Sequence, residues 1–194
     1  MALLSKSAQA AVAGAGGGYL NPSKIASGSS VRFALLSDEP LEFYELWAEG
    51  ADNKAKPFRF AQEPSPDDIA LELGDFTRRQ NREGNGVEPL KFALALPVYN
   101  YDASEVQVLN LTQKSLIREL DAVSQTEDYE DITATDFTLG KEGSGLNTEY
   151  KLMPVPRKKG ADAVIAAAWE DAKATGFAIE RLLVGGNPFK PDAA

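Results

Sequence analysis

Hydrophobic and polar residues alternate through the middle of this chain with the two-residue period of a β-strand. Over residues 90–96 one side of the alternation is polar or small, and the other carries Leu90, Phe92, Leu94 and Leu96. Pro97 interrupts the pattern, which continues toward a turn at residues 103–104 before a second strand-like run over 105–111. Residues 90–111 are therefore predicted to form a β-hairpin.

Runs rich in β-branched and aromatic residues on either side of the hairpin predict further strands. They cover residues 31–37, 56–61, 132–139 and 146–155. Residues 41–49 fit either a strand or a short helix, because aromatic residues are mixed there with Glu and Leu. The polar, glycine-containing segment 75–89 is predicted to be a loop or a frayed helix end.

A helical period of apolar residues occurs in two segments. Thr112 is a suitable N-cap for a helix over 113–123. A second helix is predicted over 161–175, ending at Gly176. Asp67 is predicted to cap a shorter helix that runs through Leu71. The apolar side of the first helix carries Leu116, Ile117 and Leu120, and that of the second carries Val164, Ile165, Ala168, Trp169 and Ala172.

The order of these elements predicts an α+β protein that is mainly β, with a small barrel, one inserted helix and a C-terminal helix. Residues 1–30, rich in Ala, Gly and Ser, are predicted to be a flexible arm. Residues 31–159 then form the barrel domain, and residues 160–194 form the C-terminal helix and a tail that is mobile from residue 185.

The composition excludes several classes of function. The chain has 194 residues without any Cys or His, so zinc sites built on these ligands and Ser-His or Cys-His triads are excluded. The formal net charge of −9 excludes a uniformly basic binder. The acidic loop over 127–131 lacks the ligand spacing of a calcium site. We therefore expect no enzyme, no cofactor and no metal.

No segment of the sequence approaches the length of a membrane span, and the first residues lack the charge order of a secretory signal. The sequence therefore favours a cytosolic protein without a membrane partner. The glycine-rich segments 14–18 and 141–145 lack the flanking residues of nucleotide-binding loops and are interpreted as turns.

Aromatic residues interleave with Lys and Arg on the predicted strands and in the loop between them. Single-stranded nucleic acid is bound by this mixture, since bases stack on aromatic rings and cations contact phosphates. Phe92 is assigned to the core, whereas Arg59, Lys91 and Tyr99 alternate away from apolar neighbours and are expected at the surface. The candidate DNA-binding residues are Lys56, Phe58, Arg59, Phe60, Arg78, Arg79, Arg82, Lys91, Tyr99, Tyr101, Tyr150 and Lys151.

Half of the chain resembles a known family. Residues 94–102 read LALPVYNYD, residues 106–117 read VQVLNLTQKSLI, and residues 136–139 read DFTL. Residues 143–154 read GSGLNTEYKLMP, a glycine turn followed by Thr-x-Tyr-x-x-x-Pro. These segments, with the upstream KPFRF strand at 56–60, resemble the single-stranded DNA-binding, helix-destabilising proteins of tailed phages and cyanophages.

The resemblance implies an oligonucleotide-binding (OB) fold that coats single-stranded DNA during phage replication, recombination and repair, in the cytoplasm of the infected bacterium. It also implies partners among phage replication proteins and contacts between protomers, which we assign to the N-terminal arm or the C-terminal helix. The chain departs from zinc-containing members, since it has no Cys or His, and residues 160–194 hold only five acids against three bases. The alternative is a non-catalytic structural or interaction protein of a virion or replication complex.

Overall fold

A computed structural model of the chain describes residues 18–81 and 83–190. These residues form nine strands, three α-helices and five short 3-10 helices. The strands are β1 (Tyr19–Leu20), β2 (Ser29–Leu35), β3 (Leu41–Glu49), β4 (Ala55–Phe60), β5 (Thr77–Arg78), β6 (Lys91–Asn100), β7 (Glu105–Leu111), β8 (Asp136–Glu142) and β9 (Glu149–Val155). The α-helices are α1 (Pro66–Leu73), α2 (Lys114–Ser124) and α3 (Asp162–Ala174). The 3-10 helices are Pro22–Lys24, Glu127–Tyr129, Ile132–Ala134, Gly145–Asn147 and Ile179–Val184.

Strand β6 is the centre of one branched sheet. It pairs with β7 on one edge, and its other edge pairs first with β3 and then with β2. β3 continues to β4 and β5, whereas β2 continues to β8 and β9. All pairings are antiparallel except that of β1 with β7. No pairing among the described strands closes the sheet into a barrel, so the fold is α+β with an open, largely antiparallel sheet.

Pro97, at which the sequence pattern is interrupted, lies inside the continuous strand β6. The Pro97 carbonyl accepts a hydrogen bond of 3.0 Å from Leu36 N. Leu36 follows the end of β2, where the neighbouring chain leaves the sheet before β3 begins. A proline is tolerated there because its missing N–H falls at a gap between two partner strands.

The sheet buries both faces. On the first, called here the α2 face, large apolar side chains from β2, β6, β7, β8 and β9 pack against Leu116 and Leu120 of α2. The stacked rings of Phe33 and Phe137 lie at its centre, with centroids 5.7 Å apart. Helix α1 covers the β3–β4 end through Leu73. This face supplies most of the hydrophobic core.

The opposite face, called the α3 face, is covered by the C-terminal part of the chain. Ile165 of α3 and Ala161, the residue just before the helix, pack on Ala34 and Tyr99. Leu182, in the 3-10 helix Ile179–Val184, packs further along the sheet in a cluster with residues of β3, β6 and β7. The C-terminal helix was predicted correctly over 161–175, and the structure shows that it packs on its own sheet.

Parts of both predicted flexible ends are packed into the fold. Leu20 and Ile25 are buried in the core, although they lie within the predicted arm over 1–30. Pro188 is buried as well, and Phe189 packs edge-on against Tyr19 with centroids 6.5 Å apart. Residues 1–17 and 191–194, which complete the predicted arm and tail, lie outside the described residues.

Other local predictions were off by a few residues. Ser65, rather than Asp67, caps α1, in a capping box with Asp68. The first residues of the strand predicted at 132–139 form a 3-10 helix, and the undecided segment 41–49 is a strand throughout. Among the described helices, none is long and apolar enough to cross a lipid bilayer.

Candidate nucleic-acid interface

Most of the cations predicted to bind phosphate at the β3–β4–β5 end of the sheet already have partners. Arg59 Nε lies 2.9 Å from Glu45 Oε2, and Arg79 Nε lies 3.2 Å from Oε1 of the carboxylate of Glu49. Glu88 is the partner of two more cations. Lys91 forms an ion pair with the Glu88 carboxylate, and Arg78 Nη2 donates a hydrogen bond of 2.6 Å to the Glu88 carbonyl oxygen. A cation that already has an acidic partner gains less binding free energy from a phosphate, so this end does not present a cationic track.

The aromatic residues at the same end are structural. Phe58, predicted as a stacking platform, is only 7% exposed and packs edge-on against Phe76, with centroids 5.3 Å apart. Lys56 Nζ lies 4.5 Å and 4.1 Å from the centroids of these two rings. Phe60 is half-buried against the same cluster. The structure therefore places the Phe58 ring in the core beneath α1, where little of it is open to a base.

Tyr99 was predicted at the surface and is buried. It is 5% exposed and belongs to the cluster with Ala34, Ala161 and Ile165. The alternation in β6 correctly puts Tyr99 on the face opposite Leu94, Leu96 and Val98. That face is not solvent-exposed at residue 99, because α3 lies over it.

Tyr101 lies on the same side of the sheet as Tyr99 but only half-buried. Its backbone N–H donates 3.1 Å to the Arg32 carbonyl, so the sheet still holds it just after β6 ends. The buried side chain of Asn100 shapes the following turn, since its Oδ1 accepts from Asp102 N at 2.9 Å and from Ala103 N at 3.3 Å. Tyr101 is thus a positioned aromatic ring at the rim of the helix-covered region.

Two cations lie next to the Tyr101 ring. Arg32 Cζ and Lys158 Nζ are each 5.5 Å from its centroid. The Tyr99 ring meets Tyr101 edge-on, with centroids 5.3 Å apart. A partly exposed aromatic ring beside positive charge is chemically able to take a nucleotide, because the ring can stack on a base and the charge can contact a phosphate.

The buried carboxylate of Asp136 fixes the positions of the residues in this cluster. The Asp136 side chain is fully buried; Oδ1 accepts 2.9 Å from the Tyr101 hydroxyl, and Oδ2 accepts 2.8 Å from Arg32 Nε and 3.0 Å from Lys158 N. Arg157 Nε lies 2.7 Å from Oδ1 as an ion pair. One carboxylate therefore holds the ring, the flanking arginine and the basic loop after β9 in fixed relation.

These contacts also change the acidity of the phenol. Burial, with the hydrogen bond to Asp136 and the negative charge of that carboxylate, raises the pKa of the Tyr101 hydroxyl above its ordinary value. The phenol therefore stays protonated at neutral and mildly alkaline pH and keeps donating to Asp136. No chemical step follows from this, because the phenol serves as an anchored ring.

A small open pocket adjoins the cluster. It has a volume of about 230 Å³, and its mouth carries the exposed side chains of Lys158 and Lys159. Neither of these lysines forms an ion pair with any described residue. The lining consists of Tyr99, Tyr101, Ser104, Lys158, Lys159, Gly160, Ala161 and Val164.

From Tyr101 the α3 face continues over β2, β8 and β9, where α3 no longer covers it. In antiparallel strands, paired residues project to the same side. The register aligns Arg32 with Thr138 and Met153 in one row, and Ser30 with Gly140 and Lys151 in the next. Lys151, a predicted site residue, is therefore exposed on the same side as Tyr101.

The remaining predicted residues are not all brought together. Tyr150 projects to the other face and packs on the core, so it is not beside Lys151. Lys56, Phe58, Arg59, Phe60, Arg78, Arg79 and Lys91 lie at the opposite end of β6 from Tyr101. Arg82 lies outside the described residues. Of the predicted residues that the structure describes, Tyr99 and Lys151 share the side of the sheet that carries Tyr101.

Sequence reasoning missed Arg32, Met153 and Asp136 as members of this region. Arg32 had a usable signal, because a charged residue interrupts the otherwise apolar run after Val31. The basic run 157–159 is visible in the sequence, but its proximity to Tyr101 depends on the long-range hydrogen bond from Lys158 N to Asp136 Oδ2. No local pattern marks Asp136 as buried.

A larger groove of about 490 Å³ lies on the other face, between α2 and the segment after β2. Its floor is apolar, while its rim carries Asp38, Glu42, Asp121 and Glu130 against the single cation Arg118. A phosphate backbone is repelled by such a rim, so the groove does not compete with the Tyr101 region for nucleic acid. No group of three or more acidic residues that could hold a metal ion occurs in the described part of the chain.

In comparisons with known proteins, no family model, no curated protein and no solved structure matches the chain. Function must therefore be inferred from the residues and their geometry.

Proposed function

We propose that this protein binds single-stranded DNA without sequence preference and without catalysis. The observation that carries the proposal is the half-exposed ring of Tyr101, held by Asp136 and flanked at 5.5 Å by both Arg32 and Lys158. Lys158 has no acidic partner among the described residues, and a fixed aromatic ring beside such a charge suits a single strand, since every base has a face that stacks and every linkage carries a phosphate.

In this proposal a base enters the pocket beside Tyr101, and the neighbouring phosphates lie against Lys158 and Lys159. Arg32 adds charge to the same region, while its pairing with Asp136 fixes its position. Lys151 extends the cationic track along β9. The net charge of −9 does not oppose binding, because association depends on the local potential, which here is set by lysines without acidic partners.

The same proposal includes an OB fold for the strands and α2. An OB fold is a five-stranded, partly open barrel that often binds oligonucleotides. Three features support this comparison: the antiparallel pairing, the central strand that changes partners along its length, and α2 inserted between β7 and β8. Together with the family resemblance, they lead us to propose a role in coating single strands during phage replication, recombination and repair.

The direct test is a titration of labelled oligo-dT followed by fluorescence anisotropy at several salt concentrations. We expect binding that weakens as salt rises, because counterions are released from the phosphates. Tyr101→Ala should lower the affinity by about 1–3 kcal/mol, the usual contribution of one stacked base. Tyr129→Ala is a matched control, since Tyr129 is also half-buried but lies in the acidic segment 127–131.

Wild-type protein that does not bind oligo-dT even at low salt would overturn the proposal and favour a structural or interaction role. Equal losses in both Tyr variants would also count against it, because they would show that the effect is not local to the Tyr101 region.

A further inference from the structure

Gly140 occupies a position where the fold does not require glycine. It lies inside β8, and its φ is not in the left-handed region. A Cβ added there would meet its nearest neighbours, Lys151 O, Ser29 O and Ser30 Cβ, only at 3.9 to 4.0 Å, which is ordinary contact. Glycine inside a strand weakens it, and such a position often marks the close approach of a ligand or another backbone.

The surroundings of Gly140 point to such a ligand. Ser30 and Lys151 flank it in the register, and both are exposed. Met153, in the adjacent row, is 41% exposed although it is apolar. These residues, called here the β8 strip, lie on the α3 face beyond the end of the helix cover, and Gly140 leaves the backbone without a side chain at one point of the strip.

We propose that the bound strand crosses β8 at Gly140, with a base lying flat on the half-buried backbone there and against the thioether of Met153. Lys151 then lies beside the adjoining phosphate. This inference rests on the proposed function and gives the path of the nucleic acid beyond the Tyr101 pocket. A thioether is a soft, polarisable partner for an aromatic face, which suits a contact that must accept any base.

The test adds a side chain at residue 140, where the proposed path needs none. Gly140→Val introduces two methyl groups above the strip, while a β-branched residue is favoured in a strand. We expect the variant to melt at the same or a higher temperature than wild type and to bind oligo-dT at least tenfold more weakly. Ala55→Val is the matched control, since Ala55 is an exposed strand residue in β4, at the other end of the sheet.

A second variant covers the case in which Gly140→Val disturbs the sheet. Met153→Glu puts a carboxylate on the strip at a position that is already exposed, so folding should be preserved. The carboxylate repels the phosphates of oligo-dT, so the affinity for oligo-dT should fall and its dependence on salt concentration should change. Unchanged affinity in Met153→Glu overturns the proposed path.

The outcomes separate the path from the function. If Gly140→Val binds like wild type while Tyr101→Ala loses affinity, the path across β8 is wrong and DNA binding at Tyr101 stands. If wild-type protein fails to bind oligo-dT, the proposed function fails, and the path fails with it.

Discussion

Arg59 and Glu45 face each other across β3 and β4, with Arg59 Nε 2.9 Å from Glu45 Oε2 and side chains only 12% and 5% exposed. The same guanidinium donates 3.2 Å from Nη1 to the carbonyl oxygen of Leu182. Trp47 Nε1 completes the cluster, donating 3.2 Å to Glu45 Oε1. This pair therefore fastens the C-terminal segment to the sheet, on a surface that the sequence had assigned to DNA.

Replacing Arg59 should affect stability and leave DNA binding intact. Arg59→Ala leaves Glu45 buried without its partner, and breaking a buried pair costs about 3–5 kcal/mol. Chemical denaturation measures this loss. The double variant Arg59→Met, Glu45→Leu should regain much of it, because an apolar pair has no uncompensated charge. A flatter salt dependence of oligo-dT binding in the folded Arg59→Ala protein would return Arg59 to the DNA site.

Tyr99 and Tyr101 should respond differently to truncation. Tyr99→Ala removes a buried ring from the contact with α3, and a large-to-small change of this kind costs about 3–5 kcal/mol. The free energy of unfolding should fall accordingly, and the α3 side of the sheet should lose protection in amide hydrogen exchange. A Tyr99→Ala protein of wild-type stability with reduced oligo-dT affinity would show that Tyr99 contacts DNA.

The lysines of the loop after β9 should set the salt dependence. Each phosphate contact on a single strand contributes about 0.7 to the slope of log affinity against log salt. Lys158→Gln combined with Lys159→Gln should lower the slope by roughly twice that amount. Lys54→Gln is the control for removing one positive charge elsewhere, because Lys54 is exposed at the other end of the sheet, with Nζ 3.4 Å from Asp52 Oδ2, and its slope should match that of wild type. Equal slopes in wild type and the double variant would remove both lysines from the interface.

The raised pKa of Tyr101 predicts a loss of stability at alkaline pH. Its hydroxyl is held protonated in the folded state by burial and by Asp136, whereas the unfolded phenol titrates near pH 10. The folded-state pKa is the higher one, so the stabilising contribution is complete below about pH 10 and is lost as pH rises toward the folded-state value. Wild type should therefore lose stability faster than Tyr101→Phe above about pH 10. Parallel curves for the two proteins would show that the hydroxyl is not held in this way.

The sequence pattern predicted most strands because apolar and polar residues alternate along a strand that buries only one of its faces. It left residues 41–49 undecided because Phe43 and Leu46 are both fully buried on opposite sides of β3, where α1 and the C-terminal segment each cover one side. A strand covered on both faces shows no alternation, so local periodicity cannot separate it from a helix.

The site was harder to predict than the fold because its members meet only through long-range packing. Tyr99 and Tyr101 are two residues apart on one face, and what separates a core residue from a candidate ligand contact is whether α3 lies above it. Arg59 looks like a surface cation in sequence, since its acidic partner lies 14 residues earlier on a paired strand. Charge pairing across strands has no local signature.

The contact of Phe189 with Gly18 and Tyr19 brings the two ends of the described chain, residues 18–190, next to each other. A Cβ at residue 18 would come within 2.5 Å of the Phe189 ring, so the two segments touch directly. Because these segments are neighbours, the strands could be connected in a different order along the chain and still pair in the same way. A circular permutant that joins these neighbouring segments and opens at the exposed β8–β9 turn, near Leu146, should assemble the same sheet with Tyr101 and Asp136 in place.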